Sequence, residues 1–307
     1  MINMECRMSN FKRRGAEFYN PGRVMFFLIK ALILLLIFAG CSSAPKKPAE
    51  IVTERTVAAN YLNLANQTAN RGRYEDALLI LVEARRFAVS TDDPQLRIKT
   101  SMSRGNILFS LGRQDEAFRE WDTASAEGDA SGETVLAAFA RIYKIRGELV
   151  RLANNGSNDN AAVESLKERL SRERNLTAPD LLATAAGYVT LGIAEKQLGR
   201  FADAENAAKK ALEIHEKNLN LEEAAYDWFI IASIRSVAGN YSASLEALNS
   251  SIGFDRRAEN GFGLASSWKA MGEVYQKTGM TSESRLAFDR AAEIYRALAL
   301  NDLADEL

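Results

Sequence analysis

The sequence predicts an all-α solenoid of about six helical hairpins with a period of about 40 residues. A small residue recurs along the chain at steps of 40, 42, 45, 40 and 40 residues. A glycine follows seven residues after most of these positions, and no alternation typical of a β-strand persists. A fixed period of this size is typical of stacked helical repeats. The six small residues are Ala65, Gly105, Gly147, Gly192, Ala232 and Gly272.

The first helix of each hairpin is predicted around its small residue. In most repeats a large aromatic residue stands four positions earlier, as Tyr61, Tyr143 and Trp228 do. Residues at i and i+4 lie on one helix face, so the large and the small side chain share a face. Pro94 and Pro179 precede two of these helices, where proline is tolerated.

The turn and the second helix follow the same period. Glycine can adopt positive φ and therefore ends a helix. The second helix carries its own alanine or serine, which lets it lie close to the first. We therefore expect Gly105, Gly192 and Gly272 to lie where two helices approach most closely. The turn glycines are Gly72, Gly112, Gly199, Gly239 and Gly279.

Three segments, "RGRYEDALLILVEA", "LGRQDEAFREWDTA" and "LGRFADAENAAKKALEIHEK", resemble the turn and second helix of the tetratricopeptide repeat family in a 40-residue form. The resemblance covers roughly residues 57–298 and implies a right-handed superhelix that binds other proteins. The third repeat departs from the pattern. Tyr143, Gly147 and Val150 fit the first helix, but the turn is stretched through "ANNGSNDNAAVE".

The N-terminus resembles a bacterial lipoprotein signal. An apolar run over residues 31–40 ends directly before Cys41, in the order "FAGC". We expect residues 1–40 to be a signal peptide, whose true start could be Met25. Residues 41–55 would then be the lipidated cysteine and a tether, and residues 56–307 the solenoid. The alternative is a plain transmembrane anchor. Ser42 favours the outer membrane, facing the periplasm.

Composition excludes several function classes. Residues 1–40 hold 6 basic and 2 acidic residues, which leaves 33 basic and 38 acidic and a net charge of −5 for residues 41–307. This balance does not favour nucleic acid binding. Cys41 is the one cysteine after residue 40, so no disulfide within the mature chain is expected.

No catalytic, metal or cofactor motif is recognisable, and we expect a protein that is not an enzyme. The single histidine, His215, excludes a paired-histidine zinc motif. Its neighbours Glu213 and Glu216 indicate a histidine on a helix surface.

The predicted binding surface is the concave groove. In the tetratricopeptide family, first-helix positions three before, one after and four after the small residue point inward. The alternative is that a tighter superhelix or a neighbouring helix covers these side chains. Leu62 stands where the family's carboxylate clamp needs a lysine, so the clamp is not expected. The candidate groove residues are Asn66, Met102, Asn106, Phe109, Lys144, Arg151, Tyr226, Phe229 and Lys269.

Two functions remain open. The resemblance implies a lipid-anchored, periplasm-facing scaffold that binds proteins or peptides and helps assemble an outer-membrane complex. The alternative is an accessory subunit of an envelope transport or hydrolytic system, which presents a substrate to a separate enzyme. The apolar residues at the C-terminus must fold back, stay exposed or pack against another chain, so a homodimer is also predicted. They are Ile294, Leu298, Leu300 and Leu303.

Overall fold

The computed structural model describes residues 53–156 and 159–307, where the chain forms thirteen α-helices and no strand. The helices are α1 Glu54–Asn70, α2 Tyr74–Ser90, α3 Pro94–Ser110, α4 Gln114–Ser131, α5 Thr134–Asn154, α6 Asn160–Leu176, α7 Leu181–Gln197, α8 Phe201–Lys217, α9 Leu221–Val237, α10 Tyr241–Ala258, α11 Gly261–Lys277, α12 Thr281–Ala297 and α13 Asn301–Asp305. Consecutive pairs from α1 to α12 form six hairpins, which confirms the predicted all-α repeat architecture. The predicted signal peptide and Cys41 lie outside the described residues, and α1 begins two residues before the predicted start of the solenoid at 56.

Side chains at the hairpin starts explain several of the helix boundaries. Asp93 caps α3, accepting a hydrogen bond of 3.0 Å from the Leu96 amide, and Pro94 occupies the first helical position. Asp180 caps α7 in the same way through the Ala183 amide at 2.9 Å. A side-chain oxygen at this position satisfies an amide that the helix itself leaves without a partner.

The turn inside each hairpin depends on a residue with positive φ. The five predicted turn glycines all have φ between 72° and 81°. In the third hairpin, Gly156 takes this role with φ of 65°, after a first helix extended to 21 residues. The stretched turn predicted there is only partly correct, because residues 153–154 belong to α5 and residues 160–164 to α6. The longer α5 accounts for part of the irregular spacing.

The hairpins close through size complementarity at the predicted small residues. A Cβ atom added to Gly105 would lie 2.5 Å from Trp121 Nε1, and one added to Gly272 would lie 2.8 Å from Phe288 Cδ1. At Gly192 the added atom would lie 3.1 Å from the carbonyl oxygen of Ala204, so two backbones meet there. Close backbone approach thus fits the prediction at Gly192, whereas Gly105 and Gly272 leave room for an aromatic ring of the second helix.

The six hairpins complete one turn, so that the last hairpin meets the first. Helix α11 contacts α1, and the rings of Tyr74 and Phe262 meet edge to face at 5.5 Å. The side chain of Leu298 fits between two glycines: an added Cβ would lie 3.2 Å from its Cβ at Gly72 and 3.0 Å from its Cδ2 at Gly261. The concave side is therefore a central space enclosed by all six hairpins.

This closure uses the apolar C-terminal residues. Leu300 and Leu303 pack with Ile294 and with Ala304 of the five-residue α13 in one cluster, and Leu300 also reaches Gly72. The stripe thus folds back on its own chain, which was one of the three predicted alternatives. The prediction of a homodimer was based on an exposed stripe that the structure does not show. The homodimer therefore stays a prediction.

Candidate binding lumen

Two adjoining cavities of about 540 and 580 Å³ occupy the centre of the superhelical turn. They share part of their lining, and we call the combined space the lumen. Each of the two cavities falls within the usual size range for ligand pockets, about 300–1,000 Å³. The residues that line both cavities are Asn66, Ser103, Asn106, Tyr143, Glu222, Glu223, Tyr226 and Asn260.

The lumen crosses the first helices obliquely. In α1 and α3 the lining residues lie mainly in the C-terminal half, such as Asn66 and Asn106. In α7, α9 and α11 they lie in the N-terminal half, such as Ala186, Glu222 and Phe262. The sequence analysis expected the same first-helix positions to point inward in every hairpin. This expectation therefore fits the early hairpins better than the later ones.

Five of the nine candidate residues line the lumen: Asn66, Met102, Asn106, Tyr226 and Phe229. Asn66 is exposed to the lumen, and Tyr226 is 40% exposed. Met102 is buried in the wall, as the alternative of a covered groove foresaw.

The other four candidates line neither cavity. The Lys144 Nζ atom donates to the Asp122 carboxylate at 2.6 Å, and Arg151 Nη2 donates to Asp115 at 2.8 Å. Phe109 packs against Trp121, with ring centroids 5.6 Å apart. Lys269 is half-buried outside the lumen lining. Ion pairs between the second and third hairpins hold Lys144 and Arg151, and ring packing within the second hairpin holds Phe109.

One wall of the lumen presents a fixed guanidinium group between two tyrosines. The central carbon of the Arg146 guanidinium lies 5.3 Å from the ring centroid of Tyr143 and 5.9 Å from that of Tyr226. Arg146 Nε donates to Thr190 Oγ1 at 3.1 Å, and Nη2 donates to the Ala186 carbonyl at 3.0 Å. These bonds hold the group in the wall and occupy two of its donors.

The lining that α9 and α10 contribute is acidic, and we call it the acidic wall. Glu222 and Glu223 begin α9, and Asp255 follows in α10. Burial raises the pKa of Glu222 to about 7, with further contributions from Glu223 and Asp255. Burial also raises the pKa of Asp255 to about 7. Glu222 accepts a hydrogen bond of 2.5 Å from Asn70 Nδ2, which joins the acidic wall to the first hairpin.

His215 lies against this wall, so the prediction of a surface histidine is wrong. The side chain is only 4% exposed, and its Nδ1 atom lies 2.6 Å from Asp227 Oδ2. Burial raises the pKa of Asp227 to about 6, against the lowering effect of His215. Asp227 is fully buried, and its second oxygen, Oδ1, is without a hydrogen-bond partner among the described residues.

One known protein family has a sequence model that matches part of this array. Residues 184–223, which cover most of α7 and all of α8, match the model of the tetratricopeptide repeat. These residues therefore form a tetratricopeptide repeat, and they lie within an array of six helical hairpins. Arrays of this kind support protein–protein interaction and are typically scaffolds without catalytic activity.

Solved structures share the fold of this helical-hairpin array at low sequence identity. The Rap protein complexed with competence and sporulation factor is 16% identical, with a TM-score of 0.53 over 83% of this chain and 73% of that chain. A signal-transduction ATPase with a tetratricopeptide repeat sensor from Pyrococcus horikoshii is 14% identical, with a TM-score of 0.52 over 84% of this chain and 43% of that one. The Cut9–Hcn1 hetero-tetramer of the APC/C is 16% identical, with a TM-score of 0.52 over 90% and 46%.

This chain thus aligns with less than half of the length of each of the last two proteins. No curated protein sequence matches the chain significantly. Within residues 53–156 and 159–307, no helix combines the length and the apolar character that crossing a bilayer requires. Across the same residues, no group of three His, Cys, Asp or Glu side chains could hold a metal ion.

Proposed function

We propose that this tetratricopeptide-repeat protein is a scaffold whose lumen holds a segment of a partner protein. The observation that carries the proposal is the closed superhelical turn, which surrounds a space of ligand-pocket size with amide, aromatic and charged side chains. Such a mixture of apolar surface and few convergent polar groups is typical of binding sites. A Rap protein of similar fold is complexed with competence and sporulation factor, which supports a binding role for this chain.

We place this scaffold on the cell envelope. The apolar run before Cys41 supports a lipid anchor, and Ser42 supports residence at the outer membrane on the periplasmic side. A short polar tether would then hold the array near the membrane surface, where it would help assemble an outer-membrane complex.

Site-specific photo-crosslinking in the native membrane tests the binding face. A photoreactive residue at Ser103 would lie in the lumen, and one at Leu286 would lie on the outer side of α12, where this leucine is 69% exposed. We expect a protein partner to crosslink at Ser103 and not at Leu286. Crosslinks at Leu286 with none at Ser103 would contradict the proposal.

An accessory-subunit role is the second candidate, and an outer apolar stripe favours it. Leu79, Val82 and Val89 on α2 are 69%, 53% and 54% exposed. Exposed apolar residues in one patch are a common feature of protein contact sites. A crosslink to the partner from a photoreactive residue at Val82, with no crosslink from Ser103, would favour a fixed subunit contact over lumen binding.

A further inference from the structure

We propose that the lumen recognises an extended protein segment through a Lys or Arg side chain, whose cationic group lies against Glu222, Glu223 and Asp227. The inference rests on the proposed binding function and specifies the chemistry of the partner.

The first argument is the charge of the lumen. Its acidic lining consists of Glu222, Glu223 and Asp227 from α9, Asp255 from α10 and Asp180 at the start of α7. Within the described residues, no Lys or Arg nitrogen comes within 4.0 Å of the carboxylates of Glu222, Glu223 or Asp255, although other acids of the chain form many ion pairs.

The basic groups of the lumen do not balance these acids. Arg146 is hydrogen-bonded to Thr190 and to the Ala186 carbonyl, and its charge lowers the pKa of Asp227 without preventing a net rise to about 6. The other Lys or Arg side chain of the lining, Lys99, is exposed. Burial without a cation disfavours the ionised carboxylates, which is why the pKa of Glu222 is raised to about 7. A cation supplied by a partner would relieve this cost.

The second argument is the orphan oxygen of Asp227. The carboxylate lines the lumen wall, accepts from His215 through Oδ2 and leaves Oδ1 buried without a partner among the described residues. A buried acceptor left without a donor costs about 1–3 kcal/mol. An ammonium or guanidinium group that donates to this oxygen would remove the cost, and charge-assisted bonds are among the stronger hydrogen bonds.

The third argument concerns the surroundings of the acidic wall. Tyr226 and Phe229 on α9 and Tyr143 on α5 line the same space. Aromatic faces suit the aliphatic stem of a Lys or Arg side chain and attract its charged end. Amide side chains such as Asn66, which can donate and accept at once, suit the backbone of an extended segment. The lining therefore fits a basic side chain carried on a peptide better than a free inorganic cation.

The test uses the full-length chain in detergent and four pools of fluorescent nine-residue peptides with blocked ends. The pools share random Ala, Ser, Leu, Tyr and Asn at the flanking positions and differ only in the central residue, which is Arg, Lys, citrulline or Glu. We expect the Arg and Lys pools to bind about tenfold or more tightly than the citrulline pool, as one charge-assisted hydrogen bond allows. This comparison needs no variant and so does not depend on the folding of one.

Variants then locate the preference. Glu222→Gln combined with Glu223→Gln should weaken the preference for the Arg pool over the citrulline pool, with Asp227 left as the remaining acidic partner. The matched control is Glu283→Gln, which removes one charge from an exposed position on α12 and should keep the preference. Equal binding of the Arg and citrulline pools to the wild type would overturn the inference, as would a preference that the double substitution leaves unchanged.

Two further outcomes separate this inference from the proposed function. If all four pools bind equally and compete with one another, the lumen binds peptides but not through a basic side chain, and the inference alone fails. If no pool binds and Ser103 gives no crosslink, both fail. Spermidine is the last probe: displacement of the Arg pool by spermidine at equal concentration would show that the peptide backbone adds nothing, and the segment would be the wrong ligand class.

Discussion

Replacing Gly105 by alanine places a methyl group inside the space that Trp121 occupies. The new Cβ atom would lie 2.5 Å from Nε1, 2.6 Å from Cδ1 and 3.0 Å from Cε2 of the indole ring. Favourable contacts between carbon atoms need about 3.5–4.0 Å. Either the ring or helix α3 must therefore move by about 1 Å to accept the substitution.

Trp121 has little room to move. It is 3% exposed, and Phe109 and Tyr143 lie with their centroids 5.6 and 6.2 Å from its ring. Its Nε1 atom donates to Asn106 Oδ1 at 3.1 Å. On the other side the ring faces Gly147, where an added Cβ would lie 2.9 Å from Cζ3. The indole is thus held between two glycines from successive hairpins.

The expected magnitude is the difference of two effects. Overpacking of a filled core costs about 1–3 kcal/mol. Alanine in place of glycine inside a helix contributes about 0.5–1 kcal/mol in the opposite direction. Gly253 on α10 isolates the second effect, because it is exposed and nothing lies within 4 Å of its added Cβ. We therefore expect the free energy of unfolding of Gly253→Ala to exceed that of Gly105→Ala by about 1–3 kcal/mol.

Urea denaturation of both variants, followed by circular dichroism, measures this difference. The double variant Gly105→Ala with Trp121→Leu should lose less stability than the two single losses together, because the smaller side chain admits the methyl group. Equal stability of Gly105→Ala and Gly253→Ala would refute the reasoning, and so would strict additivity in the double variant.

Three further predictions concern the closure, the acidic wall and the anchor. Leu298→Ala should cost about 1–3 kcal/mol and speed hydrogen exchange in α1 as well as in α12, because the side chain also packs on Gly72; protection of α1 unchanged would mean that the ends do not support each other. Glu222 has a pKa of about 7 against an ordinary 4.5, so the folded state binds its proton more tightly and its contribution to stability is lost as pH rises from about 4.5 to 7. Glu222→Gln should therefore gain about 1–2 kcal/mol over the wild type between pH 5 and pH 8, and a constant difference in thermal unfolding across that range would contradict the buried acid. Cys41→Ser should leave an unprocessed precursor, and an intact mass showing a free Cys41 thiol on the mature wild-type protein would exclude lipidation.

The burial of His215 could have been predicted from the sequence. His215 stands between Glu213 and Glu216, which favoured a surface position. It also follows Ala208, Ala211 and Leu212 at helical spacing, and that spacing continues the buried stripe of α8. The sequence therefore contained a signal that His215 is buried, and this signal outweighs the charges of Glu213 and Glu216.

The acidic wall had no comparable signal. Glu222 and Glu223 occupy the first turn of α9, where acidic residues are favourable because of the helix dipole. From the sequence alone this is a sufficient reason for their presence. Only the closed turn, which brings Asn70 to within hydrogen-bond distance of Glu222, shows that they face an enclosed space.

The sequence by itself determined the hairpins of this protein, because the signals for them are local. Helix caps, turn glycines and the pairing of Gly105 with Trp121 all act within one 40-residue repeat. The tertiary structure decided the curvature of the array, which brings Leu298 to Gly72 and sets which side chains line the lumen. Curvature is the sum of small rotations at successive hairpin contacts, and no single repeat contains that sum.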